Sequence, residues 1–228
     1  MKTKENIIKL SPSGLNLFLE CPHCFWLQYN LKINRPQPPA STLPNGVDLS
    51  LKKYFDNWRQ QNKLPPLLRD KLNVDAKFVS DLNLITQFRS HSFQWYDSEF
   101  DAYLFGILDD ALELENKFIV PLDNKTKGFP PKEINEAYKI QMSTYTLLLR
   151  QNNFATKNFA YIVYWYFDHK NIDLENPLQF NVSVEKIDTN PDMILDIFRK
   201  AVTVLREEMP NSSSTCQFCN FRYNHHDH

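Results

Sequence analysis

The segment Phe118–Thr126 reads Phe-Ile-Val-Pro-Leu-Asp-Asn-Lys-Thr, in which five mainly apolar residues lead directly into an acid, an amide and a lysine. Upstream, Phe93–Leu114 also has the pattern of β structure, interrupted once by Gly106. Between these segments, Glu115-Asn116-Lys117 predicts a hairpin turn. We therefore expect two adjacent antiparallel strands, and the chemistry of the chain is concentrated where they end.

This hairpin brings two carboxylates and one amine to the same edge of the predicted sheet. Asp109 lies on the first strand, and Asp123, Asn124 and Lys125 end the second. Two carboxylates bind a hard divalent cation such as Mg²⁺ or Mn²⁺, and the Asn124 carbonyl is a further candidate ligand. An adjacent lysine can orient the attacking water and stabilise developing charge. The pattern predicts a site that hydrolyses phosphodiesters.

Acid-x-Lys alone is a weak signal, because the chain contains it four times, at Asp75/Lys77, Glu115/Lys117, Asp123/Lys125 and Asp168/Lys170. Charged residues on a solvated strand or turn explain the other three. Only Asp123/Lys125 ends an apolar strand and has a second acid at hairpin distance upstream. We therefore place the candidate catalytic pair there.

The remaining elements follow from hydrophobic periodicity. Ser11 and Ser13 are candidate N-caps of a helix that runs into the first cysteines. The other expected elements are a connector over Arg35–Pro44, helices over Val47–Trp58, Glu133–Arg150 and Pro191–Glu208, and strands over Phe159–Phe167 and Leu178–Ile187. In the strand over Phe159–Phe167, the aromatic run from Tyr161 is expected to be core rather than a base-stacking surface.

The helix after the candidate metal strand carries Gln141 and Tyr145, four residues apart and so on one face. These side chains can contact a DNA backbone or orient the lysine. The alternative is an amphipathic helix with one half-buried tyrosine.

Two Cys-x-x-Cys pairs, Cys21/Cys24 and Cys216/Cys219, contain every cysteine of the chain. A tetrahedral thiolate site needs four ligands, so we expect both pairs to hold one metal centre that joins the termini. Free or disulfide-bonded cysteines are the alternative. A redox switch is less well supported, because neither pair has a thioredoxin-like βαβ context.

Composition limits the class of protein. The 228 residues, 42% of them apolar, are sufficient for one globular domain over 1–228, with 1–34 and 209–228 forming the cysteine region. There is no run of about 18 apolar residues, and the polar start predicts no secretory signal, so a cytoplasmic protein without a membrane span is expected. Because the net charge is −1, a nucleic acid must be held by a local basic patch.

Taken in order, these motifs resemble the RecB-type PD-(D/E)XK nucleases, and within them the iron–sulfur members, which include CRISPR-associated RecB-like nucleases and the AddB nuclease domain. The resemblance covers nearly the whole chain. It is carried by Ser11-Pro12-Ser13, Cys21-Pro22, Gly106-Ile107-Leu108-Asp109, Asp123-Asn124-Lys125-Thr126, Gln141-Met142-Ser143-Thr144-Tyr145 and Cys216-Gln217-Phe218-Cys219.

The resemblance implies an α/β, restriction-endonuclease-like core, with a mixed central sheet flanked by helices. It also implies metal-dependent DNA cleavage and a four-iron, four-sulfur cluster at the cysteines. Two departures from the family matter. The first is that two cysteines lie near each end of the chain, an arrangement that also fits Zn²⁺ and leaves His225 as a reserve ligand only. The second is that no histidine follows Gly46, where the family often has a metal-binding histidine. Asp48 is there instead, as a candidate metal ligand or a helix cap.

We expect a deoxyribonuclease that acts on single-stranded ends, in DNA repair, recombination or CRISPR adaptation. A narrow local basic track suits one strand better than an intact duplex. Lys52, Lys53, Lys127 and Lys132 are the candidate phosphate contacts. The alternative is a DNA-binding module that has lost its catalytic centre and retains the cysteine cluster.

Overall fold

The computed structural model describes residues 7–37, 42–167, 175 and 179–224. The α-helices and strands follow one another in the order β1 (Ile8–Leu10), α1 (Pro12–Glu20), α2 (Pro22–Asn30), α3 (Thr42–Gln60), α4 (Pro66–Leu72), β2 (Ala76–Phe78), α5 (Leu82–Phe88), β3 (Gln94–Asp97), β4 (Ala102–Phe105), β5 (Asp110–Leu114), β6 (Ile119–Lys127), α6 (Glu136–Gln151), β7 (Phe159–Phe167), β8 (Phe180–Asp188), α7 (Pro191–Arg206) and α8 (Gln217–Asn224).

The described strands form two sheets. The larger has the order β2-β5-β6-β7-β8 and is antiparallel except between β6 and β7, which α6 connects. The smaller has the order β1-β4-β3. The larger is the mixed sheet flanked by helices that the sequence predicted.

The strand β7 is buried on both faces of the larger sheet. Ala160, Ile162 and Tyr164 belong to the core that includes residues of α1, α2, α6 and α7, whereas Val163 and Trp165 face the core built with α3 and α4. This alternation follows the two-residue period of a strand, since successive side chains point to opposite faces. The aromatic run is therefore mainly core, as predicted.

The predicted hairpin is present, and Asn116 and Lys117 make the turn with positive φ angles of 59° and 62°. The segment Phe93–Leu114 is, however, not one strand. It contributes β3 and β4 to the smaller sheet and β5 to the larger. The chain crosses between the sheets just after Gly106, where a Cβ atom would lie 2.7 Å from a ring carbon of Tyr145.

Several helix boundaries differ from those predicted. Helix α3 begins at Thr42, inside the expected connector, because Pro44 lies in the first turn, where a missing N–H costs no hydrogen bond. Helix α6 begins at Glu136 rather than Glu133, since the Asn135 side chain accepts from the Ala137 N–H and caps it. Leu178, the expected start of β8, lies outside the described residues.

The first cysteine pair starts a helix that the sequence analysis did not predict. Cys21 is the N-cap of α2, its Sγ accepts from the Cys24 N–H at 3.4 Å, and Pro22 occupies the first helical position. Proline is favoured at that position, so Cys-Pro was the available signal. The resulting turn orients both sulfurs of the pair.

No helix among the described residues is long and apolar enough to cross a membrane.

Candidate active site and cysteine centre

The edge of the larger sheet brings the candidate catalytic residues together. The pairing of β5 with β6 ends with Asp110 opposite Leu122, and Asp109 and Asp123 are the next residues of the two segments. The Asn124 N–H donates to Asp109 Oδ2 at 3.3 Å, which ties the two segments together. Lys125 is two residues beyond Asp123 on β6, so both side chains lie on one face of the strand.

Asp123 is buried, and its Oδ2 pairs with Lys125 Nζ at 2.7 Å. Burial raises the pKa of Asp123 to about 7; Lys125 opposes this rise, and the negative charge of Asp109 adds to it. One lysine therefore does not fully compensate the carboxylate. A buried carboxylate whose charge is only partly compensated is suited to bind a cation.

Asp48 and Asp109 share one amine from α3. Lys52 Nζ lies 2.7 Å from Asp48 Oδ2 and 3.3 Å from Asp109 Oδ1. Burial by itself would lower the pKa of Lys52, but the Asp48 hydrogen bond and the nearby Asp109 outweigh it, and the net shift is upward. Lys52, expected as a phosphate contact, here neutralises two candidate ligands, and a divalent cation would have to compete with it.

The Lys125 amine has three kinds of partner. It lies beside Asp123, donates to Gln141 Oε1 at 2.9 Å and stands 4.7 Å from the centre of the Tyr138 ring. Lys127 also contacts Tyr138, donating to its hydroxyl at 2.7 Å. The sequence analysis missed Tyr138, although it lies three residues before Gln141 and therefore on the same face of α6.

Gln141 and Tyr145 connect this lysine to the backbone before β5. Gln141 Nε2 donates to Tyr145 Oη at 2.8 Å and to Asp123 Oδ1 at 3.3 Å. The Tyr145 hydroxyl donates to the Ile107 carbonyl at 2.5 Å. Burial raises the pKa of Tyr145, so its hydroxyl stays protonated and acts as a donor. Tyr145 approaches this backbone closely because Gly106 has no side chain.

Asn124 extends the site toward the opposite face of the sheet. Its side-chain oxygen accepts from Trp165 Nε1 at 2.9 Å. This bond fixes the side chain, while Asp123 and Lys125, on either side in sequence, point to the face covered by α6.

A buried ionic network that the sequence analysis did not detect supports the residue next to Asp109. Asp110 is fully buried and pairs with Arg59 at 2.5 Å and with Arg89 at 3.0 Å; both arginines also pair with Asp56. Arg89 Nε donates to the Asp109 carbonyl at 2.8 Å. The network thus holds the backbone of a candidate metal ligand.

Replacing Asp110 with alanine should lower the free energy of unfolding by about 3–5 kcal/mol, because the buried Arg59 and the half-buried Arg89 lose a shared partner. Chemical denaturation measures the change. Asp70→Ala is the matched control: its pair with Arg69 is exposed, and we expect a change below about 1 kcal/mol. A similar small change for both variants would show that the network does not stabilise the fold.

The second candidate centre is formed by the four cysteines. All are buried, and their Sγ atoms lie within 4.8 Å of one another, which makes them the one group of three or more potential metal ligands among the described residues. The two pairs are brought together by α2 and the start of α8, with Cys21 Sγ 3.6 Å from Cys219 Sγ. His225, the reserve ligand, lies outside the described residues.

The sulfur spacing bears on the kind of metal. Cys24 Sγ lies 3.8 Å from both Cys216 Sγ and Cys219 Sγ. A tetrahedral ion with metal–sulfur bonds of about 2.3 Å separates its ligands by about 3.8 Å. In a four-iron cluster each cysteine binds a different iron, so the sulfurs must stand further apart. The four cysteine sulfurs are therefore suitable metal ligands, and the Sγ–Sγ distances of Cys24 match those around a single tetrahedral ion.

Two neighbouring residues support the cysteines. Arg35 Nη2 lies 3.6 Å from Cys216 Sγ, and its guanidinium stands over the Phe218 ring at 4.5 Å. His23, inside the first pair, is buried and hydrogen-bonds the Pro210 carbonyl at 2.7 Å. A positive group beside several thiolates offsets their mutual repulsion.

Comparison with known proteins identifies the family of this chain. A family model described as the PD-(D/E)XK nuclease superfamily matches residues 9–223. The solved structure of SSO0001 is similar over 97% of this chain and 88% of that one, with 11% sequence identity and a TM-score of 0.49. No curated protein matches the chain significantly. The chain belongs to the PD-(D/E)XK nuclease superfamily, whose members are metal-dependent nucleases.

Proposed function

We propose that this protein is a Mg²⁺- or Mn²⁺-dependent deoxyribonuclease that hydrolyses phosphodiester bonds, with single-stranded ends as its preferred substrate. The observation that carries the proposal is the buried Asp123 carboxylate, which pairs with Lys125 Nζ at 2.7 Å at the sheet edge where the Asn124 N–H donates to Asp109 Oδ2. Membership of the superfamily supports the same reading. The sequence pattern of a RecB-like nuclease agrees with it and leaves open repair, recombination or CRISPR adaptation as the pathway.

In this proposal Asp109 and Asp123 would hold the cation, with Asp48 and the Asn124 carbonyl as further ligands. A cation held there would supply Lewis-acid stabilisation of the charge that develops on the phosphate. Because its amine pairs with Asp48 and Asp109, Lys52 would have to leave this position for a cation to be held there, and the amine would then be available to contact a phosphate.

Lys125 orients the attacking water and stabilises the developing charge. Gln141 holds the lysine by accepting its N–H, and Tyr145 holds Gln141 by accepting from its amide while donating to the Ile107 carbonyl. Such a chain of hydrogen bonds keeps a catalytic amine in place before substrate binds, which is the condition for efficient electrostatic catalysis.

The experiment is cleavage of end-labelled single-stranded and duplex DNA with Mg²⁺, Mn²⁺ or EDTA. We expect metal-dependent cleavage, faster on the single strand, and loss of at least about 100-fold in rate for Asp109→Ala, which removes a metal ligand. Asp75→Ala is the control, since Asp75 is an exposed aspartate on the segment before β2, away from Asp109 and Asp123. Wild-type protein that cleaves neither substrate with either ion contradicts the proposal.

Two features of the site favour a second candidate function, a DNA-binding module without catalysis. Lys52 occupies the space between two candidate ligands, and the three carboxylates do not form a compact ligand group within the part of the chain that the structure describes. Tight DNA binding with no metal-dependent cleavage, at any concentration of Mg²⁺ or Mn²⁺, would support that reading.

For the cysteines, we propose one structural metal centre that joins the terminal regions. The resemblance to iron–sulfur nucleases supports a 4Fe–4S cluster, whereas the 3.6–3.8 Å sulfur spacing supports Zn²⁺; we favour zinc on the geometry. Anaerobically purified protein should therefore be colourless and contain one zinc per chain. Brown protein with broad absorption near about 400 nm would instead identify the iron–sulfur cluster.

A further inference from the structure

The outer face of the smaller sheet carries a row of aromatic side chains. In β4, Ala102 and Leu104 are buried, whereas Tyr103 and Phe105 alternate with them and are partly exposed. The register places Lys9 beside Tyr103 on this outer face, with Lys9 Nζ 5.2 Å from the centre of the Tyr103 ring. A flat apolar surface with a cation at its side results.

This row continues into the candidate active site. The Phe105 ring packs on His91, with ring centres 5.4 Å apart. Both line a cavity of about 480 Å³ whose walls include Ser11 and Ser13 on one side and Gln141 and Tyr145 on the other. Gln141 is the residue that holds Lys125. The cavity therefore lies between Phe105, at one end of the aromatic surface, and the residue that holds the candidate catalytic lysine.

We propose that this surface, which we term the aromatic track and which consists of Lys9, Ser11, Ser13, His91, Tyr103 and Phe105, binds the unpaired DNA strand that leads into the active site. The inference rests on the proposed function and specifies its substrate contact.

The chemistry of the aromatic track favours an unpaired strand over a duplex. Tyr103 and Phe105, two residues apart on a strand, are separated by about 6.8 Å, which leaves room for each ring to meet a separate base. Stacking requires a free base face, and bases within a duplex have none. The exposed Ser13 hydroxyl can turn toward a phosphate oxygen, whereas the Ser11 hydroxyl, 2.9 Å from it, also accepts from the Gly14 N–H as the N-cap of α1.

Lys9 is the one lysine or arginine in the aromatic track. Binding of the unpaired strand should therefore depend mainly on stacking and only weakly on salt concentration.

A carboxylate marks the end of the aromatic track. On the next strand, Tyr96 lies beside Tyr103 but donates its hydroxyl to Asp101 at 2.6 Å. The Asp101 carboxylate repels phosphate, so the track ends at Tyr103.

The test is binding of a fluorescently labelled single-stranded oligonucleotide and a blunt duplex, measured by anisotropy in EDTA so that no cleavage occurs. The double variant Tyr103→Ala/Phe105→Ala should have a Kd for the single strand about tenfold higher than that of the wild type, which corresponds to ~1.4 kcal/mol. Its Kd for the duplex should stay within about twofold of the wild-type value. His91→Ala, at an exposed position, should raise the single-strand Kd in the same direction without affecting folding.

Phe118→Ala is the matched control. Phe118 is also a partly exposed ring beneath a lysine, with Lys157 Nζ 3.7 Å from its centre, but it lies at the opposite end of β6 from Lys125. Its replacement should leave single-strand binding unchanged.

Unchanged single-strand binding in folded Tyr103→Ala/Phe105→Ala and His91→Ala proteins overturns the inference, as does an equal loss for single strand and duplex. If the variants lose affinity only for an RNA strand of the same sequence, the inference is also overturned and the track is assigned to RNA.

Because binding is measured without metal, wild type that binds but never cleaves rejects only the proposed nuclease. Wild type that cleaves, with variants that bind normally, rejects only the track.

Discussion

Replacing Lys125 with alanine should reduce the rate of DNA cleavage by at least about 10²–10³-fold, the usual effect of removing one group that stabilises developing charge. Binding of single-stranded DNA should change by less than about threefold, because the amine acts mainly in the transition state. Single-turnover cleavage and anisotropy binding, measured on the same protein, separate the two effects.

The contacts of Lys125 explain why no neighbour should replace it. Its amine lies 2.7 Å from Asp123 and donates to Gln141, while the nearby Lys127 donates to Tyr138 instead. Lys77→Ala is the matched control, since Lys77 has the same Asp-x-Lys spacing but pairs with Glu113 on another strand. Equal activity of Lys125→Ala and wild type would remove this lysine from the mechanism.

Replacing Cys21 with serine should release the metal and lower the free energy of unfolding by about 3–5 kcal/mol. The centre joins sulfurs 198 positions apart in sequence, so its loss frees a very long loop, as the loss of a crosslink does. A chelator strong enough to remove the metal should destabilise the wild type by a similar amount. Thermal unfolding and metal analysis measure both effects.

A double-mutant cycle tests whether the two pairs share one ion. Cys21→Ser and Cys219→Ser should each cause the full loss of stability, and the double variant should be no less stable than either single variant, because the first substitution already abolishes the site. Losses that add would show that the pairs act separately, and an unchanged melting temperature for Cys21→Ser would show that no metal joins them.

Much of the candidate site was predictable because its spacing is local. Two residues along β6 place Asp123 and Lys125 on one face, and four residues along α6 place Gln141 and Tyr145 on one face. The hairpin that brings Asp109 toward Asp123 is also local, since a three-residue turn joins its strands. Each of these relations is set by the period of a single element or by one turn.

The sequence by itself thus determined the hairpin, the mixed sheet with its flanking helices, and the two cysteine pairs as candidates for one centre. Only the tertiary structure decided that Cys21 lies beside Cys219, that Lys52 of α3 neutralises Asp48 and Asp109, and that Phe93–Leu114 is divided between two sheets. It also decided the Arg59, Arg89 and Asp110 network. These contacts join elements distant in the chain, and the periodicity of one element contains no information about which distant surface will pack against it.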